Sequence, residues 1–144
     1  MLHLDLATAR RLVNEAVAEK GKDYIYPFNA CVYAVEADTM YGYVDDDGSF
    51  QGDAVTTEAG PACIVGVALH KGGVPLEWLL RNAYNGAASE ILLDGKRGGL
   101  LTFSEDAAEW LTVVQGEQDA GMPWGRAVGL ADRVKEVEDA DPGI

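Results

Sequence analysis

Basic residues are scarce in this chain of 144: 11 Lys and Arg stand against 24 Asp and Glu, a formal net charge of -13. Non-specific nucleic-acid binding needs Lys and Arg to neutralise phosphates, so direct contact with nucleic acid is not expected. Docking on anionic lipid is disfavoured for the same reason. Long apolar runs are missing as well. The most apolar stretch, Cys63 to Leu69, is far shorter than the roughly 20 residues that span a bilayer. The opening Met1-Leu2-His3-Leu4-Asp5-Leu6 has no basic segment leading into an apolar run and does not read as a signal peptide. Cysteine is limited to Cys31 and Cys63, with no CxxC pair. Two distant thiols make no disulfide framework, and reduced, packed thiols in a cytoplasmic protein are the expectation.

The same scarcity narrows the chemistry. A cysteine nucleophile needs a base within hydrogen-bonding reach, normally His. Cys63 and His70 share a helical face, but at 1.5 Å per residue they stand about 10.5 Å apart along the axis. Cys31 meeting His70 across the fold is left open. Packed thiols and a helix-end histidine remain the preferred reading, with no catalytic residue assigned. On that reading Cys63→Ser puts an unmet hydroxyl into an apolar site. No cofactor or metal is expected either. Cys31, Cys63, His3 and His70 are not paired at zinc-ligand spacing. Asp45-Asp46-Asp47-Gly48-Ser49 suggests a calcium loop only superficially, because an EF-hand wants Gly sixth and Glu twelfth. Gly48 is fourth from Asp45 and Thr56 is twelfth. Gly95-Lys96 is followed by Arg97, not Ser or Thr, and no GxGxxG is present.

What is present is an ordinary core supply, 48% hydrophobic residues in a length suited to one domain. Leu6, Ala9, Leu12, Val13, Ala16 and Val17 recur at three- and four-residue steps, predicting a helix over 6–20 capped by Asp5 or Thr8 and closed by Gly21. The apolar run Ala30 to Val35 reads as a strand. Tyr41 and Tyr43, then Asp47-Gly48 and Ser49-Phe50-Gln51, read as a hairpin. A second helix is expected over 62–71 with Pro61 in its first turn. Gly66 inside it costs roughly 1 kcal/mol relative to Ala, which close approach of another backbone would explain. Further helices are expected over 75–82, 105–120 with Ser104 as cap, and 124–137. Trp124, Val128, Ala131 and Val134 form the inward stripe of the last. Ala87 to Leu93 suggests a helical turn or two, and Asp94 to Gly99 a loop. Leu12, Val32, Ile64, Leu69, Leu111 and Val128 are the expected core. The sum is an α+β fold: one mostly helical domain over 1–137 with a small antiparallel sheet, then an acidic, frayed tail over 138–144.

Two blocks carry a resemblance. One is Pro61-Ala62-Cys63-Ile64-Val65-Gly66-Val67-Ala68-Leu69-His70, running on through Gly73-Val74-Pro75-Leu76-Glu77. The other is Gln115, Gln118-Asp119-Ala120-Gly121 and Pro123-Trp124-Gly125-Arg126-Ala127-Val128. With Asp23-Tyr24-Ile25-Tyr26-Pro27 and Cys31-Val32-Tyr33, they resemble small accessory proteins of actinobacterial phages, mycobacteriophages especially, and of actinobacterial genomes. The resemblance covers about half the chain and implies a setting, not a mechanism or a set of site residues. It leads to the expectation of a non-enzymatic accessory protein, in the host cytoplasm, that binds a host or phage protein with a basic surface. Homo-oligomerisation is compatible with this. The candidate contacts are the acidic hairpin tip, Asp45, Asp46 and Asp47, and two tryptophans near helix starts, Trp78 and Trp124, although core packing is the commoner role for such residues. The alternative is a small enzyme or small-molecule binder with a cleft near Cys31, Cys63 and His70.

Overall fold

Asp5 opens the first helix by accepting the Thr8 N–H on its carboxylate at 2.7 Å. Gly21 closes it with φ 99°, a left-handed conformation that side chains disfavour, and donates its N–H to Val17 O. The computed structural model describes residues 1–27, 32–36, 40–44, 46–54, 59–82 and 87–140. Along the chain these form β1 (Leu2–Leu4), α1 (Leu6–Lys20), β2 (Ala34–Val35), β3 (Met40–Val44), β4 (Phe50–Ala54) and β5 (Gly60–Pro61). Then follow α2 (Ile64–Lys71), α3 (Leu76–Arg81), α4 (Ala88–Arg97), β6 (Leu101–Phe103), α5 (Glu105–Asp119) and α6 (Trp124–Ala140). The architecture is α+β and mostly helical, with short two-stranded ladders.

The helices carry the core. α1 packs on α2 and α5, while α5 also pairs with α6 and α4. Leu12, Ile64, Leu69, Leu111 and Val128 are buried as expected, and Val32 is half-buried against them. β3 and β4 form the expected antiparallel hairpin, Val44 opposite Phe50, with Gly48 at φ 80° in its turn. β2 pairs with β5, also antiparallel.

Four features depart from the sequence reading. α2 starts at Ile64, because Pro61 lies in β5 opposite Ala34 and Cys63 takes the cap position. α4 runs through Asp94 to Arg97, where a loop was expected. Its Gly95 has the physical reason: a Cβ there would lie 2.8 Å from the Leu101 side chain, so β6 packs against a helix surface made bare. β1 and β6 pair in parallel, Leu2 with Leu101 and Leu4 with Phe103, and nothing short-range announces it. Finally, α6 continues to Ala140, while residues 141–144 lie outside the described residues.

Candidate functional site

Among the described residues, those singled out for chemistry are not brought together. Cys63 is fully buried at the start of α2, and His70 is exposed at the other end of that helix. His70 Nδ1 lies 3.1 Å from Val74 O, a helix-closing contact. Cys31 and Asp45 lie outside the described residues. His3 is on the far strand pair, 2.6 Å from Thr102 Oγ1. Among the described residues no three His, Cys, Asp or Glu side chains group to hold a metal ion. Asp46 and Asp47 are exposed in the hairpin turn, as solvated tip residues are. Trp78 is half-buried. Trp124 is 0% exposed, so it presents no surface to a partner. Its ring meets Tyr24 edge-on at 4.8 Å, which places it in the packing role.

Tyr24, Tyr33, the start of α2, the end of α5 and the start of α6 converge on one buried seam. Cys63 Sγ accepts the Gly66 N–H at 3.3 Å, and Gln118 Oε1 accepts the Ile64 N–H at 2.7 Å. Two of the donors that a helix start leaves unmet are thereby satisfied in the dry interior. Gln118 also donates to Asp119 Oδ1, and Gln115 Nε2 donates to the Tyr33 hydroxyl at 2.9 Å. Burial pushes the Asp119 carboxyl up from its ordinary value, partly offset by that bond from Gln118. At the start of α6, Trp124 and Gly125 donate their N–H groups to Tyr24 O and Lys22 O. Tyr33 lies against Gly66 so closely that a Cβ there would overlap its carbonyl oxygen. The expected close approach at Gly66 is thus present. The Cys63→Ser expectation is corrected, because a hydroxyl at 63 would find the Gly66 N–H. Packing and these hydrogen bonds hold the seam together.

Among the described residues a concave surface lies elsewhere. A groove of about 810 Å³ runs along α5, with β6, the start of α4 and the middle of α6 as its walls. Glu105, Ala108, Glu109, Thr112 and Val113 line it at three- and four-residue steps, one stripe of α5. Phe103, Trp110, Ala131 and Val134 supply apolar surface, while Ser89 and Lys135 complete the rim. Trp110 is held by α6, its Nε1 donating to Asp132 Oδ1 at 2.9 Å. Arg10 of α1 donates to the same oxygen at 3.1 Å, and its guanidinium lies 5.8 Å from the Trp110 ring centre. The floor is therefore pinned from two neighbouring helices, α6 and α1. Glu105 and Glu109 are exposed on the rim. Asp106 beside them is held below the ordinary carboxyl range, chiefly by the hydrogen bond from the Ser104 hydroxyl.

Periodicity places Val134 on the inward stripe of α6, whereas in the structure it is 42% exposed at the groove. Comparison of the chain with protein-family models, with curated proteins and with solved structures finds no match. Among the described residues no helix is long and apolar enough to cross a membrane.

Proposed function

We propose that this chain is a non-enzymatic accessory protein, of the actinobacterial phage setting its sequence resembles, that acts by binding a host or phage protein with a basic surface. The observation that carries the reading is the pinned apolar groove on α5, rimmed by exposed carboxylates, in a chain of net charge -13. Opposite-charge steering speeds encounter with a basic partner and suppresses wrong ones. An apolar floor then supplies the desolvated contact that holds the complex.

The test is affinity capture from an actinobacterial host lysate, before and during infection, with an unrelated acidic protein of matched size and charge as control. A specific partner retained by this chain and not by the control is expected. Recovery of the same proteins on both baits under every condition overturns the reading, since net charge alone would then account for binding.

A further inference from the structure

We propose that the α5 groove takes an amphipathic helix of the partner, its apolar face set on Phe103, Val113 and Val134 and its flanking Lys or Arg residues against Glu105 and Glu109. This rests on the protein-binding reading above and specifies its occupant.

The amphipathic stripe of α6 outruns the chain's own core. Val128 and Ala131 are buried at 8% and 1% exposure, but Val134 rises to 42% and Val137 to 63%. Each three-residue step turns the helix back by about 60°, so Val134 lies about 120° round from Val128, on the side of α6 that borders the groove, and Val137 faces away from Val128. Across the groove, Leu93 is 42% exposed on α4, one turn beyond the lining residue Ser89. Within the groove itself the exposed apolar side chain is Val134, beside the half-buried Phe103 and Val113.

A helix fits the length of the groove. The α5 stripe from Glu105 to Val113 covers about 12 Å at 1.5 Å per residue. A docked helix anchors through positions i, i+3 or i+4, and i+7, whose outer pair is about 10.5 Å apart. Charge selects the flanks. Glu105 and Glu109 line the groove and are exposed. Lys135, the basic residue that lines the groove among the described residues, pairs with Asp139 at 3.4 Å, and Lys96 lies 5.9 Å from the Phe103 ring centre. A second copy of the chain would bring the same acidic rim, and another net charge of -13, against itself. A cationic helix meets no such repulsion.

The probe is a synthetic helix of about 16 residues, with Leu at i, i+3, i+4 and i+7, Lys elsewhere and a fluorophore at one end, titrated by anisotropy. Its controls are a scramble of equal composition and a version with Glu for Lys. The amphipathic cationic helix should bind at least about tenfold more tightly than either control, a difference of about 1.4 kcal/mol. Val134→Lys on α6 and the double change Glu105→Lys with Glu109→Lys on α5 should each weaken it about tenfold or more. Both alter exposed positions on different helices, and unchanged circular-dichroism melting confirms their folds. Equal binding of the scramble, or binding indifferent to Val134→Lys, overturns the groove proposal. A concentration-dependent dimer in light scattering that Val134→Lys abolishes overturns it as well, by giving the groove to a second copy. If a specific partner is captured from lysate equally well by the Val134→Lys chain, the helix-in-groove inference fails and the protein-binding reading stands. If no specific partner is captured, the broader reading fails whatever the peptide does.

Discussion

Replacing Gly66 by Ala tests the seam most directly. A Cβ at 66 would overlap the Tyr33 carbonyl oxygen and lie 2.8 Å from its carbon, well inside ordinary contact. Backbone cannot rotate out of the way as a side chain does, so α2 and the Val32–Val35 segment must separate. That movement strains the bonds joining them, Ala62 N–H to Tyr33 O at 3.1 Å and Cys63 N–H to Val32 O at 3.0 Å. Overpacking costs about 1–3 kcal/mol. Weakening two backbone bonds adds about 1 kcal/mol for each one lost. The better helix propensity of Ala returns about 1 kcal/mol. The net expectation is a loss of about 2–4 kcal/mol. In urea, with a slope of about 2 kcal/mol per molar, the midpoint falls by about 1–2 M. The internal controls are Gly116→Ala in α5 and Gly129→Ala in α6, where an added Cβ meets nothing within 4 Å. Those should raise stability by about 0.4–1 kcal/mol through the unfolded chain and helix propensity. The same chemical change is thus expected to take opposite signs. A Gly66→Ala midpoint that matches the controls refutes the close approach.

Three further outcomes follow from the buried polar contacts and the caps. Cys63→Ser should stay within about 1 kcal/mol of the parent because its hydroxyl inherits the Gly66 N–H, while Cys63→Ala loses about 1 kcal/mol more with the cap; equal melting of the two variants would count against a capping role. Gln118→Met keeps most of the volume but strands the Ile64 N–H, a cost of about 1–3 kcal/mol by chemical denaturation, and a neutral result would mean that this N–H has another acceptor. The pH dependence divides by sign. Asp5, chiefly through its bond from the Thr8 N–H, and Asp106, chiefly through Ser104, have lowered values, so their stabilisation is present above the ordinary carboxyl value of 3.8 and is lost as pH falls through the folded values. Asp119 is raised, so it opposes them: stability falls as pH climbs from 3.8 through its folded value, and Asp119→Asn should melt higher at neutral pH and no higher in acid.

What was legible in the sequence was local. The α1 boundaries follow from the Asp5 cap and Gly21, and α5 from Ser104 and the acids after it. The hairpin follows from its turn dipeptide. What was not legible depends on partners remote in the chain. β1 and β6 are three residues each and about a hundred positions apart, too short for a periodic signal and too distant for a turn. Gly95 reads as a helix breaker until Leu101 is seen packed on it. Pro61 reads as a helix start until Ala34 is seen opposite it. In each case tertiary contact overrides a local preference worth about 1 kcal/mol or less per residue, or about 3 for proline inside a helix.

The groove was illegible for a different reason. A hydrophobic stripe states that a face seeks apolar cover, and it cannot state whether the cover comes from the same chain. Trp110, Ala131 and Val134 look alike to a periodicity argument. Folding separates them into a pinned floor, a buried wall and an exposed rim. The acidic tip at Asp46 and Asp47 is exposed, and dense charge on a hairpin turn is what solvent exposure alone requires. Charge becomes informative about a partner where it borders uncovered apolar surface. Removing either component, the rim carboxylates or Val134, should therefore weaken the same complex, whereas reversing charge at Asp46 and Asp47 should alter only the long-range, salt-sensitive part of association.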